Sequence, residues 1–416
     1  MSTVLYILVA LLVFGVLIAV HELGHFLAAK ACGVKVNEFS IGMGPAIFKK
    51  QKGETLYALR CLPFGGFCAM EGEDETSEDP RALENQGFWA KLLIFAAGAA
   101  MNFLAGLLII LCLYGGAKAF VTPVIADFAQ GCPLEGTLLA GDKVTAIDGE
   151  RIYVYSDVSL LLNLKQSGSH DLTVLRNGEK VELTNVPMEL REYTDKNGNA
   201  YTGYGLTFSV KEAGIGDRIS YSFANAIDFV RMVRLSLQML VTGQAGVKDI
   251  SGPVGIVSVI TDVGQSSSSA SAAVRNIAYL AAMIAVNLAV MNLLPLPALD
   301  GGKIFFLVIN ALCMLVIRKR IPQKFESYVH IAGFALLMLL MLAVTFQDVW
   351  KIFSINTAVT YSSAVATTTP PTNKRSRLSL MGRRIKYTAR APQPYMVHRG
   401  PFINPLFINL PFRTDT

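Results

Sequence analysis

The chain has 416 residues, 52% of them hydrophobic and 16% charged, with a mean hydropathy of +0.44. That charged fraction is well below the roughly 25% usual in soluble domains, which argues against a soluble protein and leaves room for a membrane bundle plus one soluble unit of about 100 residues. The net charge of +6 is concentrated in residues 360–416, where nine Lys/Arg face the single acid Asp415; the rest of the chain has no basic excess, and no nucleic acid is expected as a partner.

Residues 4–28 are apolar and long enough to cross a bilayer, and His21, Glu22 and His25 lie near the far end of this run. The run is too long for a signal-peptide h-region and has no basic n-region, so it is expected to stay. Residues 33–85 alternate and are rich in Gly and aromatics, which predicts a β-hairpin region that could dip into the membrane. Residues 92–114 predict a second span. Residues 119–210 read as an α+β unit with a hairpin turning at Asn177-Gly178. In 219–243, Asp228, Arg231 and Arg234 fall on one helical face, predicting an interfacial amphipathic helix rather than a crossing. Residues 264–272, GQSSSSASA, predict a flexible linker, so that 211–274 joins the soluble unit to the membrane. The stretch 275–316 is too long for one crossing and is interrupted by Pro295 and Pro297, predicting a span over about 275–298, a break, and a helix of about ten residues. A fourth span is expected over 328–347, and a disordered basic tail over 355–416.

Lys and Arg cluster between spans one and two and between spans three and four, whereas the N-terminal Met-Ser-Thr has none. Both connecting loops are therefore expected to be cytoplasmic, with 119–210 outside. The six cysteines form no CxxC pair, so neither a disulfide framework nor a thiolate zinc site is expected. His170 and His398 lie in polar stretches and are expected to be solvated. Gly141, Asp142, Asp148 and Gly149 read as turn formers.

His21 and His25 are four residues apart, which stacks both imidazoles on one helical face with Glu22 about a quarter turn away. H-E-x-x-H on a helix supplies two zinc ligands and a carboxylate for the water proton. A catalytic zinc takes three protein ligands and keeps a position for water. His21 is 17 residues into its helix, about 25 Å along the axis, near the cytoplasmic side. A third ligand at that depth has two candidates, Asp300 beside the Pro-Gly break and His330 at the start of span four. Ionisable groups and broken helices are costly in a membrane unless they serve a site, which favours Asp300.

HELGH in the first span, together with NLLPLPALDG (292–301) in the third, resembles the site-2 protease family, in the arrangement of the bacterial regulator of sigma-E protease type. Gly98 and Asn102 in FAAGAAMNF resemble that family's second-span element, although Ala99-Ala100 stands where a Pro is common. GDKVTAIDG resembles a PDZ strand and turn, and SGPVGI (251–256) a segment that follows it. The resemblance covers about 1–354. It implies a polytopic α-helical membrane protein with four transmembrane helices, a membrane-associated β-hairpin and one extracytoplasmic PDZ-like α+β domain, in a bacterial cytoplasmic membrane. The implied activity is intramembrane zinc endopeptidase, with one Zn2+ held by His21, His25 and Asp300, Glu22 as the base, and Asn292, Asn102 and Asn287 as substrate-binding or oxyanion candidates. The implied substrate is a single-pass membrane protein already trimmed by a site-1 protease, such as an anti-sigma factor, or a remnant signal peptide. Two rival readings are a membrane-anchored PDZ scaffold without catalysis, which need not keep Glu22, and a zinc transporter, which would need further intramembrane acids or histidines along a path.

Overall fold

The computed structural model describes residues 3–367, apart from 74–76, 165–167, 195–197, 199, 247–248 and 320. The chain opens with α1 (Thr3–Ala31), which has no internal proline and ends at Gly33, φ +77°, the left-handed glycine that closes many helices. Two long strands follow, β1 (Val36–Lys52) and β2 (Thr55–Met70). Residues Glu38–Ile41 have partners on both sides, Ala69 to Gly66 along one edge and Leu56 to Leu59 along the other. The strands bend at Gly42, Gly44 and Gly65, all with positive φ; a Cβ at Gly42 would stand 2.5 Å from the Leu62 carbonyl oxygen. Segment 66–70 is therefore an edge, paired on one side only among the described residues.

Next comes α2 (Phe88–Tyr114), then β3 (Ala119–Phe128), β4 (Lys143–Ile147), β5 (Glu150–Arg151), α3 (Ser156–Leu164), β6 (Ser169–Arg176), β7 (Glu179–Pro187), β8 (Arg191–Thr194), β9 (Ala200–Gly203) and β10 (Leu206–Glu212). The sheet runs β10-β3-β4-β6-β7, with α3 packed over Ile125, Val144, Ile147, Leu172 and Val174. Asn177 and Gly178 both have positive φ, as the predicted two-residue hairpin turn requires. His170 is not solvated as expected: it is buried, with Nδ1 2.7 Å from the Asp148 carboxylate. Alternation on β6 turns its side chain inward.

The second half contains α4 (Ile215–Val241), α5 (Pro253–Ser266), α6 (Ala270–Asn292), α7 (Asp300–Val316) and α8 (Gln323–Thr367). Among the described residues, four of the eight α-helices are long and apolar enough to cross a membrane: α1, α2, α6 and α8 over Lys324–Lys351. Their outer faces carry exposed Leu8, Leu12, Leu336 and Leu339, which only lipid covers at no cost. The inner faces of α1, α2 and α6 meet α4 and α5 around Leu17, Ile110, Phe229, Ile260, Leu280 and Ile284. Small residues let the backbones approach: a Cβ on Gly24 would reach the Ala97 oxygen at 2.4 Å, and one on Gly106 the Ala282 oxygen at 2.9 Å. The chain is thus a polytopic membrane protein.

The structure corrects four boundaries. The expected linker shrinks to Ser267–Ser269, because α5 takes up 264–266 and α6 starts at Ala270 with the Ser269 hydroxyl accepting from the Ala272 N–H. Helix α5 itself has Pro253 in its first turn, and the N–H groups of Gly252 and Gly255 both donate to Asp348 of α8 at 2.8 Å. The span beginning α6 ends at Asn292, and the helix after the break has 17 residues rather than about ten. Helix α8 runs on through 355–367, where a disordered tail was expected, because no proline follows Pro322 until Pro370; the rest of that tail lies outside the described residues.

Among the described residues α4 is not apolar enough to count as a span, in keeping with an amphipathic helix, but two of its three charges face the protein interior. Asp228 and Arg231 are buried rather than turned to a polar surface: Arg231 donates to Asp228, to the Arg151 carbonyl and, at 3.0 Å, to Asp157 at the start of α3. A charged stripe on a helix finds its polar partner in whatever packs beside it, here the sheet unit. The exposed side of α4 carries Ile215, Ile219, Phe223 and Ile227 instead.

Candidate metal centre

His21 and His25 leave α1 on one face, with ring centroids 4.8 Å apart. They are roofed by the backbone of α2, because a Cβ on Gly98 would stand 2.3 Å from His25 Nε2 and 2.6 Å from His21 Cε1. Only glycine fits there. Asp300 is the first residue of α7, and its direction is set by the seven-residue return from α6. That return folds tightly on the helix start: a Cβ on Gly301 would meet the Leu294 oxygen at 2.1 Å, and one on Gly302 the Leu296 oxygen at 2.3 Å.

Nε2 of His21, Nε2 of His25 and Oδ2 of Asp300 form a triangle with every side 3.2 Å. His25 Nδ1 lies 2.8 Å from the Ile94 carbonyl oxygen, which accepts its proton and leaves Nε2 of the neutral ring a bare lone pair. Asp300 Oδ2 is buried and receives no hydrogen bond. Three electron-pair donors converging in apolar surroundings repel one another unless a cation sits among them. Ligands of a tetrahedral zinc with bonds of 2.0–2.1 Å are about 3.3 Å apart, so the spacing fits that ion. Among the described residues this is the His/Cys/Asp/Glu cluster with metal-binding spacing.

The cluster opens on a cavity of about 390 Å3, within the range of about 300–1,000 Å3 for ligand sites. Glu22 lines it, with Gly66 of β2 packed toward its Cγ. Phe67, Cys68, Ala69 and Met70, the edge of β2, form one wall. Burial, with the Glu22 and Glu73 carboxylates adding to it, pushes the Cys68 thiol up to about 12, so it stays neutral beside the donors. At the rim, Lys303 donates to Glu73 at 2.6 Å, joining α7 to the segment after β2.

The other sequence candidates separate. Asn292, the last residue of α6, places its amide 3.4 Å from His21 Nδ1. Asn102 is buried on the α2 face that carries Gly98, with Oδ1 unpartnered. Asn287 is half-buried on α6. His330 is not in the donor triangle: its Nδ1 accepts from the Ala298 N–H at 3.0 Å, bracing the return between α6 and α7. Glu73 and Lys303 escaped the sequence reading. Lys303 is three residues after Asp300, a spacing that puts both on one helix face; Glu73 has no comparable signal.

The sequence profile of peptidase family M50 matches residues 9–340. The chain belongs to peptidase family M50. A Clostridium acetobutylicum protein named as a zinc metalloprotease is 35% identical over 84% of this chain and 98% of its own length. The zinc metalloprotease RasP of Geobacillus kaustophilus is 30% identical over 82% of this chain and 97% of its own. The regulator of sigma-W protease RasP of Bacillus subtilis is 27% identical over 82% and 98%. This M50 peptidase is therefore a membrane-embedded zinc metalloprotease, a peptide-bond hydrolase, and its buried donor triangle fits the single zinc ion that its relatives are named for.

Proposed function

We propose that the protein is an intramembrane endopeptidase that cuts transmembrane segments of single-pass membrane proteins in regulated intramembrane proteolysis. The observation that carries this reading is the equilateral His21–His25–Asp300 triangle within helices α1 and α7, beside a cavity walled by a strand edge. In this reading His21, His25 and Asp300 would hold the zinc, which would supply Lewis-acid chemistry when bound. Glu22 takes the water proton and delivers it to the leaving amine. Ile94, through its carbonyl, holds the His25 imidazole in the tautomer that offers Nε2, and Asn292 places its side-chain amide beside Nδ1 of His21. Asn102 and Asn287 are left as candidate contacts to the substrate or its developing oxyanion.

A peptide bond inside a helix is shielded, so the substrate must unwind before cleavage. The edge of β2 at 66–70 supports that step, because an extended segment can add to it while facing Glu22 and the donors. Exposed Ile41, Met43, Ile47, Phe48, Leu59 and Leu62 at the bend of the hairpin support its insertion into lipid. The Lys/Arg distribution supports a centre near the cytoplasmic side of a bacterial inner membrane, with the 119–210 unit outside. There a PDZ-like unit would screen substrates by size or hold a newly cut end after a site-1 protease. The named role of the Bacillus subtilis relative, a regulator of sigma-W protease, favours a membrane-bound anti-sigma factor over a remnant signal peptide. Cleavage of a model single-pass substrate by the wild type and by Glu22→Gln in proteoliposomes tests the reading. Equal cleavage by both sinks it.

A further inference from the structure

Glu73 and Lys303 line the same cavity as the donor triangle, yet the hydrolytic chemistry uses neither. Their place follows from the strand edge. The Glu71 N–H donates inward to the carbonyl of Lys35, just before β1, at 3.0 Å. Backbone groups alternate along a strand, so those of Met70, Cys68 and Gly66 point out along the free edge. Met70 agrees: its N–H is directed to the Glu73 carboxylate, with Oε2 at 3.4 Å. The chain turns back at Gly72, φ +67°, where a Cβ would stand 2.7 Å from the Ala82 Cβ, and this brings Glu73 beside Met70.

A local turn alone would leave the Glu73 side chain to swing. Its other oxygen, Oε1, is held by Lys303 Nζ at 2.6 Å, and that ammonium stands over the Phe95 ring of α2, 5.8 Å from its centre. A carboxylate oxygen thus sits where the carbonyl of an added strand would sit, and a second element keeps it there. The two ends of the edge therefore differ. Gly66 packs toward Glu22, whereas Met70, four residues and about 13 Å further on, ends at the Glu73–Lys303 pair. A strand added to an edge can slide by two residues and keep each side chain on its face, so pairing alone does not fix which bond meets the donor triangle. A block at one end does.

We propose that Glu73, held by Lys303, is a register stop that fixes the cleavage position. The extended substrate pairs with Gly66 and Cys68 and does not advance to Met70. The stop rests on the endopeptidase reading and on substrate addition to this edge. Glu73 is a positioning residue: it sets which bond is presented to Glu22.

Intact-mass analysis of the fragments of a model single-pass substrate, cut by the full-length protein in proteoliposomes, tests this. The wild type is expected to give one main cut. Glu73→Ala is expected to add a second, displaced by two residues and always to the same side. Its yield should lie within about fivefold of the first, since the two registers then differ by about one hydrogen bond. Lys303→Met, which takes the ammonium away from Glu73, is expected to add the same second cut, and Lys303→Arg to keep the single one. Zinc content and melting temperature establish that each variant is folded with its centre intact. A merely structural pair would change yield or stability without moving the cut. One unchanged cut in folded Glu73→Ala and Lys303→Met proteins overturns the register stop while the endopeptidase reading stands. Extra cuts spread to both sides also overturn it. A wild type that cuts no faster than Glu22→Gln sinks the endopeptidase reading, and the stop with it.

Discussion

His25 is held at both nitrogens, one on the Ile94 carbonyl and the other in the donor triangle, and it has no free volume because Gly98 lies against it. This predicts a sharp contrast between two glycines of α2. Gly98→Ala should lower zinc content and cleavage together, because the new methyl must displace an imidazole. Gly106→Ala meets Ala282 and Val286 instead, so it should cost stability, about 1–3 kcal/mol, with zinc retained. Metal analysis and thermal melts of the two variants separate the outcomes; equal zinc loss in both would contradict the assignment. Asn292 gives a second prediction. If its amide orients His21, Asn292→Ala should weaken zinc affinity about 10–100-fold, as other partners of metal-bound histidines do. A competition titration with a chelator reads this, and unchanged affinity with a lower kcat would make Asn292 a substrate contact instead.

At the scale of elements, the base of the hairpin is held by a cluster of polar side chains. Glu71, just after β2, accepts from the Ser77 hydroxyl, the Asn37 amide and the Lys35 ammonium, which hold its carboxyl down at about 2. A depressed carboxyl contributes stability that is present above its ordinary value near 4.5 and is lost as pH falls from there toward 2. Hydrogen exchange in 36–70 should therefore quicken over that window, and Glu71→Gln should remove the pH dependence. The Lys303–Glu73 pair at the cavity rim belongs to the same junction, since it links this segment to α7. How legible these elements were follows from what each depends on. Spans α1, α2 and α8, the interruption after α6, and the hairpin turn at Asn177-Gly178 depend on run length, proline and glycine, which are local. The direction of the charges on α4, the burial of His170 and the docking of Asp348 on the start of α5 depend on which element packs alongside, and no periodicity contains that. The donor triangle lies between these cases. HELGH announces two donors at helical spacing, and the lone acid beside a proline break singles out a third, but the closure of the return that aims it rests on Gly301 and Gly302 pressing against the backbone of Leu294 and Leu296, far along the chain from the histidines.

At the scale of the whole molecule, one guanidinium ties α4 to the sheet unit at several points. Arg231 on α4 reaches Asp157 on α3, Asp228 on its own helix and the Arg151 carbonyl on β5, while the next face of α4 carries Phe229 into the bundle core against Tyr279. Two buried carboxylates share one cation. Burial, aided by the nearby Asp157 charge, pushes the Asp228 carboxyl up to about 8, so at neutral pH it is largely protonated, and Arg231 also pairs with the Asp157 carboxylate at 3.0 Å. Removing the cation leaves that carboxylate uncompensated, and breaking a buried pair in this way costs about 3–5 kcal/mol. Arg231→Met should therefore loosen the sheet unit from α4, seen as faster proteolysis between β10 and α4 and a lower melting temperature. Asp228→Asn should raise stability at pH 7, because it keeps a neutral group in the folded protein and removes a carboxyl that ionises on unfolding. The pH dependence separates the two roles. A raised carboxyl contributes stability that is fully present below its ordinary value and is lost as pH rises through about 8. The wild-type junction should weaken as the solution is brought from pH 7 to 9, whereas the Asp228→Asn junction should not. A junction that weakens equally in both proteins would place the titrating group elsewhere.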